Sequence, residues 1–175
     1  MKIKLNYFFG YFVGITLFLI IIPYGIYEFT EFSKSLTYLI LFHNTVIRCI
    51  ISALFLLVGM YYMVWSNIFL LKVGKGTPAT VFGVSLSPQT KKLITVGLYR
   101  HSRNPMVFGA FCIYTSIILY FNSLIGLIGL LIFLFFAIIY LKLSEEKRLL
   151  KDFGEEFIEY RKKVSMIIPL RRLKK

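Results

Sequence analysis

The stretch PMVFGAFCIYTSIILYFNSLIGLIGLLIFLFFAIIYLKL, residues 105–143, decides the fold. It holds a single charged residue, Lys142, and is broken once, by Phe121, Asn122 and Ser123. About 20 apolar residues cross a bilayer as a helix. The two arms, about Met106 to Tyr120 and Leu124 to Leu143, therefore read as two spans folded back on one another. Gly126 and Gly129 in the second arm let another helix approach closely. Antiparallel helices joined by a short turn bring their far ends together. Gly97 to Asn104, just before the first arm, should then face Ser144 to Arg148, just after the second.

The rest of the chain extends this pattern. The sequence is 58% hydrophobic with a mean hydropathy of +0.75, far above the apolar share of soluble domains. Leu5 to Tyr27 reads as a first transmembrane helix ended near Pro23 to Tyr27, because it lacks a small-residue cleavage site and is longer than a signal-peptide core. A polar connector, EFTEFSKS (residues 28–35), follows. Leu36 to Leu71 is too long for one span and is interrupted by His43, Asn44 and Arg48. It divides into a short interfacial piece and a helix from about Thr45 to Leu71, with a fifth span through Leu36 to Phe42 as the alternative. In the tail, Leu149, Leu150, Phe153, Phe157, Tyr160 and Val164 recur at helical spacing with charge on the opposite face. The expectation is an all-α polytopic membrane protein of about four transmembrane helices with a C-terminal amphipathic helix. Residues 1–71 form its N-terminal transmembrane part, and residues 72–175 hold the loop, the hairpin and the tail helix.

Charge sets topology and excludes some functions. Net charge is +13, yet the basic residues flank apolar segments without any base-reading motif, so a membrane surface fits better than nucleic acid. Of the 21 Lys and Arg, only Lys34 and Arg48 fall outside the N-terminus, the Lys72 to Arg103 loop and the tail. The positive-inside rule then predicts a cytoplasmic loop and C-terminus. Cys49 and Cys112 lie alone in apolar runs, and with His43 and His101 as the only histidines no metal site is expected. GKGTPA (residues 74–79) lacks the spacing and the Ser or Thr of a phosphate-binding P-loop. It reads as a turn-rich segment folding over the pocket.

The polar residues converging at the hairpin's open end are Tyr99, Arg100, His101, Arg103, Asn104, Glu145 and Glu146. Ionisable groups at the edge of apolar depth are costly unless paired or used. The order and spacing of GKGTPA, KKLITVGLYRHSRNPMVFG (residues 91–109), EEKRLLKDFGEEFIEYRKKV (residues 145–164) and IIP (residues 167–169) resemble the isoprenylcysteine carboxyl methyltransferase and phospholipid methyltransferase superfamily of integral membrane enzymes. Three positions depart from the usual pattern: Asn104 stands where many relatives have histidine, Val107 where they have tyrosine, and Phe157 where tyrosine is common.

The resemblance implies methyl transfer from S-adenosylmethionine to a carboxylate or amine of a lipid or lipidated substrate entering from the bilayer. It implies a cofactor pocket of Gly97, Leu98, Tyr99, Arg100, His101, Asn104, Met106, Glu145 and Glu146, with Arg103, Glu146 and Asn104 at the reacting centre. The residue chemistry agrees. A methionine carboxylate wants cations or N–H donors such as Arg100, His101 and Arg103. A ribose diol and an ammonium want a carboxylate, and an adenine wants an apolar wall such as Leu98 and Met106. Two other readings are a membrane reductase related to sterol reductases with a nicotinamide cofactor, whose larger helix count argues against it, and a non-catalytic protein that binds lipid or a partner.

Overall fold

The computed structural model describes residues 12–14, 16–36, 39–74, 80–81, 84–85, 90 and 92–170. A π-helical turn, Thr16–Ile21, leads into α1 (Ile22–Leu36), and α2 (Thr45–Phe69) runs out through a second π turn, Leu70–Gly74. The hairpin is α3 (Pro105–Phe121) and α4 (Leu124–Tyr140). A third π turn, Leu141–Glu145, carries α4 into α5 (Glu146–Lys163). The rods Phe12–Ser35, Thr45–Gly74 and Leu124–Lys163 are long and apolar enough to cross a membrane, and α3 is a shorter apolar helix. The chain is an all-α integral membrane protein. Among the described residues the only named strands are a two-residue antiparallel ribbon, β1 (Thr80–Val81) with β2 (Val84–Ser85).

Two expectations are corrected. The first helix does not end near Pro23 to Tyr27 but runs to Leu36, so the polar connector is its last turns. Pro23 lies inside the rod, directly after the π turn, where the regular hydrogen-bond ladder is already interrupted and a missing N–H is accommodated. The connector's polar groups are satisfied locally: Thr30 Oγ1 donates to Ile26 O at 2.7 Å, and Lys34 pairs with Glu31 at 2.7 Å. Of the alternative fifth span, Leu36 to Phe42, the described residues from Leu39 onward carry no helix. Asn44 instead caps α2, its side chain accepting from Val46 N and Ile47 N at 2.9 and 3.2 Å.

Small residues set the helix contacts, as they must where lipid removes the hydrophobic drive for association. A Cβ on Gly59 would lie 2.8 Å from Gly109 O, and one on Gly109 would lie 2.9 Å from Gly59 O and Met63 N. The α2 and α3 backbones therefore touch at a reciprocal glycine crossing. Nearby, Ser52 Oγ donates to Ser116 O at 2.8 Å. Helix α1 and the π turn before it lie against α3 and α4: Tyr114 Oη donates to Phe18 O of the turn at 3.1 Å, and Gly129 leaves space for the Phe29 ring of α1. Ala110, Ile113, Tyr114, Ile118 and Leu130 form the buried centre, while Leu131, Ile132, Phe135 and Phe136 of α4 face outward.

The hairpin turn also holds the opposite loop. Asn122 adopts a left-handed conformation (φ 58°), and its Oδ1 accepts from Leu41 N and Phe42 N at 3.0 and 2.9 Å, while Nδ2 donates to Phe42 O at 2.8 Å. Ser123 caps α4 through Gly126 N at 2.9 Å. Asn122→Ala loses three hydrogen bonds and a residue type that tolerates this backbone, so we expect a loss of about 3 kcal/mol. It should appear as a lower thermal midpoint in detergent; an unchanged midpoint would mean that other contacts hold the loop.

Candidate functional site

The site is built at the opposite rim, where the chain leaves α2 and re-enters the membrane as α3. Gly97 opens a single 3-10 turn, Gly97–Arg100, with φ 62°. A Cβ there would fall 2.1 Å from the Phe69 ring, so both conformation and space require glycine. The turn drops Tyr99 against Leu70 and Ile94, with Phe69, Val73 and Met106 around them. This apolar shelf takes up Tyr99 and Met106, and Leu98 beside them in sequence is half-buried.

The next residues are stitched to the chain after α5. Ser102 pairs with Ser165 as a parallel bridge. Arg103 N donates to Ser165 O at 2.9 Å, and Asn104 N and Nδ2 both donate to Met166 O at 3.0 Å. Ser102 Oγ donates to Ile167 O at 2.7 Å, and Ser165 Oγ donates to His101 O at 3.1 Å. Pro105 then opens α3, where its missing N–H costs nothing.

Across the hairpin, Arg103 Nη1 donates to Glu146 Oε1. The two side chains are 6% and 11% exposed, so this is a buried ion pair between residues far apart in sequence. Such a pair contributes little net stability, but breaking it strands a buried charge. The second oxygen of Glu146 lies 3.5 Å from Arg161 Nη1. Glu145 turns to Arg148, which donates to it through Nη2 and Nε at 2.8 and 3.3 Å. The expected meeting of the hairpin ends is thus carried by Arg103 and Glu146. Arg100 and His101 are exposed, and Asn104 spends its amide N–H on Met166.

Helix α5 kinks at Gly154 (φ 51°, ψ −125°). Beyond the kink, Phe157, Tyr160 and Val164 are buried against Leu93, Leu149 and Phe153. Phe157 is 1% exposed, so the ring without a hydroxyl serves packing. Tyr160 Oη donates to Tyr99 O at 2.6 Å. Burial holds the Tyr160 hydroxyl above its ordinary pKa, with the Arg103 charge pulling the other way. On the far flank of the same helix end, Thr95, Arg100, Glu156, Glu159, Tyr160 and Lys163 line an open cavity of about 330 Å³. Of GKGTPA, Gly74 packs under Ile94 and Thr90, while Lys75 to Ala79 lie outside the described residues.

Sequence reasoning missed Arg161, Tyr160 and the Ser165 to Ile167 pairing. Tyr160 lay on the apolar periodicity of the tail, but nothing in spacing tells a helix face packed on protein from one packed on lipid.

A family model for phospholipid methyltransferases matches residues 47–156, more than half of the chain. The chain belongs to the phospholipid methyltransferase family. The matched region of this membrane methyltransferase family member begins in α2 and ends just after the Gly154 kink, so it contains both Arg103 and Glu146. Comparison with curated proteins and with solved structures yields no match.

Proposed function

We propose that this family member moves a methyl group from S-adenosylmethionine to a carboxylate or amine on a lipid or lipidated molecule. The observation that carries the reading is the buried Arg103–Glu146 pair, set beside the Tyr99–Met106 shelf at the rim of helices whose outer faces are apolar. The donor set fits the cofactor. Arg103 is a cation with a planar fork of N–H donors, and Glu146 has about four lone-pair positions for two arginines and a ribose diol. Arg100 and His101 stand exposed for a methionine carboxylate, Leu98 and Met106 offer an apolar wall, and Glu145, turned to Arg148, is the weaker of the two glutamate candidates.

When bound, the cofactor supplies a methyl on a positively charged sulfur: the carbon–sulfur bond breaks as a carbon–oxygen or carbon–nitrogen bond forms. The protein's share is alignment and exclusion of water. A carboxylate acceptor needs only a cation to hold it, the role for Arg103 or Arg100. An amine acceptor must also lose a proton, for which Glu146 and His101 are the candidates. Asn104, fixed to Met166, holds the end of α3 against the tail. The distribution of basic residues supports a cytoplasmic position for this rim, with residues 72–175 as the methyltransferase part.

The test is a thermal titration of the purified chain in detergent with S-adenosylmethionine, S-adenosylhomocysteine and NADPH. A ligand bound only by the native state at about 100 times its Kd adds about 2.7 kcal/mol and raises the midpoint. We expect a rise with both sulfur nucleosides and none with NADPH. No rise with either nucleoside at millimolar concentration sinks the reading, and a rise with NADPH alone favours the reductase.

A further inference from the structure

We infer that Arg161 is a positioning residue: it latches the tail strap, residues 155–167, onto the outer oxygen of Glu146, and the site is complete only when the strap is seated. This rests on the reading of Glu146 as a cofactor contact.

Glu146 is held from two sides by unlike partners. Arg103 reaches Oε1 from the loop and is buried, whereas Arg161 reaches Oε2 at 3.5 Å from the strap and is 57% exposed. One guanidinium on one oxygen leaves a carboxylate free to turn about its last carbon–carbon bond. A second on the other oxygen fixes its plane, and with it the lone pairs left for a ligand.

The strap has its own hinge. Gly154 takes φ 51° and ψ −125°, a backbone region that costs little only for glycine, and a Cβ there would meet nothing within 4 Å. The kink is therefore a backbone requirement and not a packing one. Beyond it, the strap's apolar seat is Phe157, Tyr160 and Val164 on Leu93, and its polar seat is the row of bonds to Ser102, Arg103 and Asn104. Lifting the strap at Gly154 removes Arg161 from Glu146. It also removes the acceptors of the Arg103 and Asn104 amides. One motion thus loosens both members of the buried pair, which links tail closure to site geometry.

The test uses the full chain in detergent and S-adenosylhomocysteine as the probe, titrated calorimetrically into wild type, Arg161→Ala, Arg161→Lys, Glu146→Gln and the Arg161→Ala/Glu146→Gln double variant. We expect Arg161→Ala to weaken binding about 5- to 20-fold and the double variant to bind within about 2-fold of Glu146→Gln alone, because the arginine acts through the glutamate. Arg161→Lys should recover part of the loss and stands in should Arg161→Ala fail to fold. Hydrogen exchange at the Arg103 and Asn104 amides should quicken about 5-fold or more in Arg161→Ala. Wild-type affinity in Arg161→Ala, or additive losses in the double variant, overturns the positioning role. Unchanged exchange overturns the latch. If wild type binds no S-adenosylhomocysteine, the reading of Glu146 falls and with it the positioning role, while the exchange arm still decides whether Arg161 seats the strap.

Discussion

Glu146→Ala is expected to cost about 3–5 kcal/mol of stability and to abolish stabilisation by S-adenosylmethionine. The stability loss follows from burial: Arg103 is 6% exposed, and removing the Glu146 carboxylate takes away the negative charge that compensates a desolvated guanidinium. The binding loss follows from the proposed contact of the carboxylate with the cofactor's ribose or ammonium. The two effects separate in Glu146→Gln, which keeps the shape and an acceptor for Arg103 but removes the charge. That variant should fold with a smaller loss and still show a much weaker ligand response. Thermal midpoints with and without ligand read both quantities. A full ligand shift in Glu146→Gln would take the carboxylate charge out of the site, and wild-type stability in Glu146→Ala would contradict the buried pair.

Gly109→Val should be the most damaging single change in the membrane body. A Cβ at this position already falls 2.9 Å from Gly59 O and Met63 N, which are backbone atoms that cannot turn aside. Adding a branched side chain forces α2 and α3 apart, and overpacking of this kind costs about 3 kcal/mol or more. The loss reaches the site as well, because α2 ends in the shelf beneath Tyr99 and α3 begins one residue after Asn104. Detergent-extracted protein should therefore lose thermal stability and ligand response together. Gly129→Ala is the milder control, since its nearest neighbour at 2.9 Å is the Phe29 ring, a side chain that can swing.

The sequence makes the hairpin legible because its signal is strong and local: two apolar arms, a turn, and glycines where helices touch. From it followed the meeting of the loop before α3 with the residues after α4, now seen as Arg103 on Glu146. The end of the first helix was misread because Pro23 and the polar residues after it look like a stop. The preceding π turn and local hydrogen bonds carry the helix through. The roles of Glu145 and Glu146 could not be told apart by spacing, since adjacent residues on a helix point about 100° apart and only the partner side chains decide which faces inward. The strap was illegible for a different reason. On the strap's side its bonds to Ser102, Arg103 and Asn104 end on the carbonyls of Ser165, Met166 and Ile167, backbone groups that every sequence possesses, so no residue type in the strap announces them.

The π turn at Leu141–Glu145 carries α4 into α5 without a break as far as the Gly154 kink. At 1.5 Å per residue, the run from Leu124 to Glu146 measures about 33 Å, close to the roughly 30 Å of a bilayer's hydrocarbon layer. The rod is a ruler. With the Asn122 turn at one face of the membrane, a rod of that length standing along the bilayer normal would carry Glu146 to about the opposite edge of the hydrocarbon layer. A lipid acceptor of the kind proposed above, its reactive group riding at that level, would meet the site by lateral diffusion with its tails still in the oil.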